Sequence, residues 1–124
     1  MEGEVLQRYT VIAELADNVI HSLHDEAEKL GFNVREILLQ TPEEADYRLS
    51  RDPANGAYSL VGIWRNEQGM KQGELLFHSD GSFMVEYDVA KPHPKRKQWF
   101  VESLCAWGKD ALIKSEAKLL PMPE

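Results

Sequence analysis

The sequence contains a single cysteine, Cys105, and no long apolar run. One thiol cannot form an internal disulfide, and a helix needs roughly 20 apolar residues to cross a bilayer. The first 30 residues carry charges throughout, which is not the pattern of a cleavable secretion signal. These absences predict a cytoplasmic, reducing location and no membrane association.

Signatures of the common enzyme classes are also missing. The sequence contains no Gly-rich phosphate loop, nucleophile elbow, zinc-ligand spacing or dinucleotide fingerprint. Cys105 falls on the apolar side of a predicted helix, where cysteine usually behaves as a small buried hydrophobe. We therefore assign no catalytic residue, cofactor or metal from the sequence.

Basic residues are scarce in the first 90 positions. Residues 1 to 90 hold 7 Lys and Arg against 17 Asp and Glu, whereas residues 91 to 124 hold 7 against 4. The formal net charge of the whole chain is -7. An acidic body disfavours general nucleic-acid binding, because that role depends on neutralising phosphates. It favours a basic protein as partner.

The apolar residues that are present indicate a long N-terminal helix. A length of 124 residues with 43% hydrophobic residues fits one domain with one core over residues 1 to 124. Apolar side chains recur every three or four positions from Val5 to Leu30, which is typical of an amphipathic helix. Gly31 then provides a left-handed cap, and Phe32 can fold back on the last turn.

The segment after this helix contains one clear motif. Residues 33–40 are predicted to form a strand buried on much of both faces. The sequence from Thr41 to Glu44 forms a capping box with proline at the first helical position, so a short helical turn is expected there. Residues 47–51 fit either a continuation of that helix or a strand.

The second half of the chain indicates an antiparallel sheet followed by helices. Alternating apolar residues predict strands over residues 57–65, 74–78 and 83–89. Apolar residues at helical spacing over 99–107 predict a packed helix, and 109–120 is expected to be a second helix or a strand. The predicted fold class is α+β: a long N-terminal helix packed on an antiparallel meander of three to five strands, with one or two C-terminal helices.

The register of the hairpin between residues 74 and 89 depends on its loop. A two-residue loop would place Leu75 opposite Glu86 and so mix apolar and charged side chains on one face. A three-residue loop with left-handed Gly81 pairs Phe77 with Phe83 and makes one face uniformly apolar. We predict the second register, because burial of one coherent face outweighs small differences between turn types.

This register gathers acidic residues on the other face of the hairpin. Glu74 lies opposite Glu86, Asp88 lies two residues along, and His78 flanks the turn. Like charges directly opposite each other are unfavourable, so a basic partner, a metal ion or a raised carboxyl pKa would offset the cost. The commonest explanation for such a cluster is still a solvated surface.

A short basic segment, Lys95, Arg96 and Lys97, precedes Trp99 and Phe100. These residues are predicted to lie in an exposed loop, because prolines at 92 and 94 prevent regular strand pairing. The loop is suited to bind an anion, with the rings adding stacking, or to close onto the acidic face of the hairpin.

These features favour a small acidic cytosolic protein that is not an enzyme and binds another macromolecule as an adaptor, inhibitor or chaperone-like module. The alternative is a small-molecule-dependent or metal-dependent activity on the carboxylate and histidine face of the 74–88 hairpin. The candidate binding residues are Glu74, His78, Glu86, Asp88, Lys95, Arg96 and Lys97.

Overall fold

The computed structural model describes residues 2–33, 37 and 40–123. Helix α1 spans Gly3–Leu30 and ends at Gly31, which has φ 103. The amides of Gly31 and Phe32 donate to the carbonyls of Glu28 and Ala27, so the last turn is closed by a left-handed cap. The predicted helix and its end are confirmed.

The strands of the described residues form one six-stranded antiparallel sheet. Each strand pairs with its neighbours in the sequence, so the strands lie in chain order as a meander. The α+β class is therefore confirmed, although the prediction of three to five strands was too low. The strands are β1 (Asp46–Arg51), β2 (Tyr58–Arg65), β3 (Lys71–His78), β4 (Ser82–Pro92), β5 (Trp99–Lys109) and β6 (Leu112–Pro121).

The prediction of one or two C-terminal helices is wrong. Residues 99–107 belong to the long strand β5, and residues 109–120, which fitted either a helix or a strand, lie mostly in strand β6. The register shifts between Asp88 and Lys91 in the pairing of β4 with β5, and between Val101 and Ser103 in the pairing of β5 with β6. An extra residue there places Val101 and Leu104 on the same face of the sheet, and both are fully buried. Their three-residue separation resembles a helical period, which explains the error.

The short motif between α1 and the sheet is confirmed. The Glu44 carboxylate accepts hydrogen bonds from the Thr41 amide at 3.3 Å and the Thr41 hydroxyl at 3.1 Å. Pro42–Glu44 forms a single 3-10 turn, and the chain then enters β1, so residues 47–51 are strand. Most of the strand predicted over residues 33–40 lies outside the described residues.

The hairpin of β3 and β4 has the predicted register. Phe77 pairs with Phe83 and Glu74 pairs with Glu86, and Gly81 is left-handed at φ 91. The two phenylalanine rings stack with centroids 6.2 Å apart on the face that contacts α1. The register is therefore fixed by burial of one apolar face, as expected.

The core lies between α1 and one face of the sheet, which we call the inner face. Trp64 is fully buried there, and its indole N–H donates to the Thr41 carbonyl at 2.9 Å. The ring lies over Gly73, where a Cβ would be 2.8 Å from Trp64 Cε3. Glycine at this position is thus required for the tryptophan to reach the core.

The opposite, outer face of the sheet is not covered by a second layer among the described residues. Helix α1 packs mainly on β5 and β6, and all its sheet contacts are on the inner side. No helix in the described part of the chain is long and apolar enough to cross a membrane. The arrangement is two layers, with one sheet face open.

Candidate functional site

The outer face carries a continuous row of apolar side chains across four strands. Cross-strand pairing places Val61, Leu76, Met84 and Trp107 next to one another on β2, β3, β4 and β5. We call these four residues the apolar stripe. Val61 is only 7% exposed although it lies outside the core cluster, and Met84 is 43% exposed. The stripe is therefore packed at one end and open to solvent in its middle.

Three predicted site residues lie beside this stripe. Glu74 is directly opposite Glu86, and Asp88 follows on the same face of β4. We call these three carboxylates the acidic trio. They line a shallow cavity of about 130 Å³ together with Lys71, Gly73 and Met84. The structure thus brings together the carboxylates that the hairpin register predicted.

Among the described residues, Glu74 alone of the acidic trio forms a salt bridge. Lys71 Nζ donates to Glu74 Oε2 at 2.7 Å, and this hydrogen bond raises the pKa of Lys71. Glu86 forms no such pair with a described residue and is exposed to solvent. Repulsion between the facing carboxylates is therefore only partly offset within the chain.

His78 does not join the acidic trio. Its Nδ1 is 2.8 Å from the Ser59 hydroxyl on β2, and four residues of extended strand, roughly 13 Å, separate it from Glu74. The described residues also contain no group of three or more His, Cys, Asp or Glu that could hold a metal ion. The geometry gives no support to a metal-dependent site on this hairpin.

The basic loop lies away from the acidic trio, at the end of the sheet near the C-terminus of α1. The Lys95 side chain packs over Gly31, and the Arg96 guanidinium lies 5.1 Å from the centroid of the Trp99 ring. Both contacts direct these side chains toward the helix end and β5. They do not support closure of the basic loop onto the acidic hairpin face.

His93 organises the basic loop, a role that the sequence did not indicate. It is 8% exposed, and its Nδ1 accepts hydrogen bonds from the amides of Lys95 and Arg96, both at 3.0 Å. Burial, followed by the charges of Arg96 and Lys95, lowers the pKa of His93. The neutral ring is required, because a protonated Nδ1 cannot accept these bonds.

Cys105 and Trp107 lie on the outer face, since β5 is a strand. Cys105 pairs with Glu86 and Glu116 across its neighbouring strands. Burial, supported by these two charges, raises the pKa of the Cys105 thiol, so the thiol stays protonated at neutral pH. Trp107 was missed as a surface residue because its segment was assigned to a helix.

The comparisons with known proteins add no functional information. No protein-family model matches the chain, and neither the curated proteins nor the solved structures gave a match.

Proposed function

We propose that this protein binds a basic amphipathic helix of another protein on its outer face. The observation that carries the proposal is the open sheet face, on which the apolar stripe runs beside the acidic trio. Apolar side chains of the partner helix would cover the stripe, and its Lys or Arg residues would neutralise the acidic trio.

The dimensions of the face suit a helix. The stripe crosses four strands, and three spacings of about 4.8 Å give a length of roughly 14 Å. About ten residues of helix cover that distance. An antiparallel sheet commonly leaves one face to solvent, so the row of apolar side chains on this face is the feature that calls for a partner. Tryptophan and methionine are also enriched where proteins bind each other.

Charge complementarity supports a basic occupant. Glu86 and Asp88 have no salt bridge to any described residue, and Glu74 is neutralised only by Lys71. Bringing a cation of the partner beside Glu86 would relieve the cross-strand repulsion that the isolated chain retains. The alternative activity, dependent on a small molecule or metal, has no comparable observation in its favour.

The proposal is tested with three synthetic peptides titrated into the labelled protein and followed by NMR. One is a Leu and Lys helix with apolar residues every three or four positions, one has Glu in place of Lys, and one has the basic composition in shuffled order. We expect the patterned basic peptide to shift the amides of Leu76, Met84 and Trp107. Equal binding of the shuffled peptide would refute the proposal.

Variants locate the binding on the outer face. Glu86→Lys should weaken the patterned peptide about tenfold at low salt, because it replaces an attractive charge by a repulsive one. Met84→Lys should have a similar effect through the stripe. Glu67→Lys in the β2–β3 turn has the same charge change and should leave the affinity within about twofold. Self-association that is lost in Met84→Lys would instead identify a second copy as the occupant and overturn the proposal.

A further inference from the structure

A cavity of about 250 Å³ lies on the inner side of the sheet, away from the outer face. It lies between the first half of α1 and the end of the sheet at which the β3–β4 turn is found. Five parts of the chain meet around it: α1, β1, β2, β3 and the β3–β4 turn. The cavity is lined by Arg8, Val11, Ile12, Leu49, Tyr58, Leu60, Phe77, His78, Ser79 and Gly81.

The walls of this cavity are mainly apolar. Leu60 and Phe77 are core residues, each 4% exposed, and Ile12 and Leu49 pack against the same core. Val11 is 84% exposed although it lines the cavity, so the helix presents an apolar side chain at the rim. Protein interiors are normally filled to crystal-like density, and an apolar cavity of about 150 Å³ already holds a benzene molecule. A space of 250 Å³ therefore accommodates an aromatic ring with a short chain.

Two arginines lie near the mouth. The guanidinium carbon of Arg8 is 5.3 Å from the centroid of the Tyr58 ring, and that of Arg51 is 5.5 Å from the same centroid. Neither arginine lies within 4.0 Å of a carboxylate of a described residue. The neighbouring Asp52 accepts the Ala54 amide at 2.9 Å. Their donors therefore have no anionic partner among the described residues.

We propose that this cavity binds a small aromatic carboxylate. The ring of the ligand would fill the space between Ile12, Leu49 and Phe77, and its carboxylate would accept hydrogen bonds from Arg8. A guanidinium presents paired N–H donors that match the two oxygens of a carboxylate. Arg51 lies over the ring of the same tyrosine, Tyr58, and adds a second positive charge near the mouth. The site is independent of the proposed protein-binding face.

The test compares three ligands of one shape: phenylpropionate, its neutral amide and phenylpropylamine, each titrated to about 10 mM and followed by NMR. We expect phenylpropionate to shift the amides of Ile12, Leu49 and Phe77, and to bind about tenfold or more tightly than the amide. Equal affinity for the acid and the amide, shifts that map elsewhere, or no shift with any ligand would overturn the proposal.

Variants separate the arginine contribution from general charge. Arg8→Gln keeps a long polar side chain on an exposed helix position and should weaken phenylpropionate about tenfold. Arg48→Gln removes the same charge from the outer side of β1 and should leave the affinity unchanged. An equal loss in both variants would show that only net charge matters and would refute the site. Met84→Lys should leave phenylpropionate binding intact, so failure of one proposal is distinguishable from failure of the other.

Discussion

Replacement of Gly81 by alanine tests the hairpin on which the outer face depends. Gly81 has φ 91, its amide donates to the His78 carbonyl at 3.1 Å, and its carbonyl accepts from the Asp110 amide at 2.9 Å. A Cβ on Gly81 would collide with the Asp110 carboxylate. The residue therefore closes the β3–β4 turn and joins it to the β5–β6 turn.

The expected magnitude follows from three contributions. A left-handed position costs a residue with a Cβ about 1–2 kcal/mol. Alanine also leaves the unfolded chain less backbone freedom than glycine does, which recovers about 0.4–1 kcal/mol of stability. The Asp110 carboxylate is the end of a flexible side chain and can rotate away, which adds a few tenths of a kcal/mol. We expect Gly81→Ala to lower the free energy of unfolding by about 1 kcal/mol and Tm by about 4 °C.

Urea unfolding followed by circular dichroism measures this change, and two variants separate its causes. Gly69 has φ 81 and open space around its Cβ position, so Gly69→Ala should show the strain without the collision. Gly81→Ala in an Asp110→Gly background should cost about the same as Gly69→Ala, because the carboxylate is gone. An unchanged midpoint for Gly81→Ala would refute the assigned turn, and with it the alignment of the acidic trio.

Three further predictions concern single polar groups. Tyr47→Phe should lose about 1 kcal/mol of stability with its 2.8 Å hydrogen bond to a backbone carbonyl. Tyr9→Phe should cost less, because the Tyr9 hydroxyl lies near the Glu43 carboxylate but forms no hydrogen bond of ordinary length with a described residue. In thermal unfolding, Glu86→Gln should stabilise by about 0.5 kcal/mol by removing repulsion, but Glu74→Gln should be near neutral because it also loses an ion pair. Because the pKa of His93 is lowered in the folded protein, the unfolded chain takes up a proton first as the pH falls. The stability that the neutral His93 ring contributes is complete above the ordinary pKa of about 6.5 and is lost as the pH falls below it. His93→Ala should flatten this part of the stability profile.

Local sequence patterns predicted the elements for which the spacing of apolar residues allows one interpretation. Helix α1 follows from one uninterrupted apolar period closed by Gly31, and the β3–β4 hairpin follows from one register that buries a single face. The acidic trio was predicted by the same register argument. In these segments local preference and burial agree, so the sequence alone was sufficient.

The two C-terminal strands could not be predicted from the spacing of their apolar residues, because a bulge and apolar side chains on both faces of the sheet change that spacing. The bulge after Val101 shifts the inward positions of β5, and Cys105 and Trp107 add apolar side chains on the outward positions. Apolar residues on both faces remove the alternation that marks a half-buried strand. The role of His93 and the cavity near Arg8 depend on residues distant in sequence, which no local pattern reveals.

The order of elements along the chain has a consequence for biosynthesis. Helix α1 is made before all six strands, yet the strands it packs on most, β5 and β6, follow the other four. Its apolar side, including Leu23 and Val19, is covered only after β5 and β6 have left the ribosome. Nascent chains stalled ahead of β6 should therefore still expose this side of the helix, and they are the species that chaperones hold.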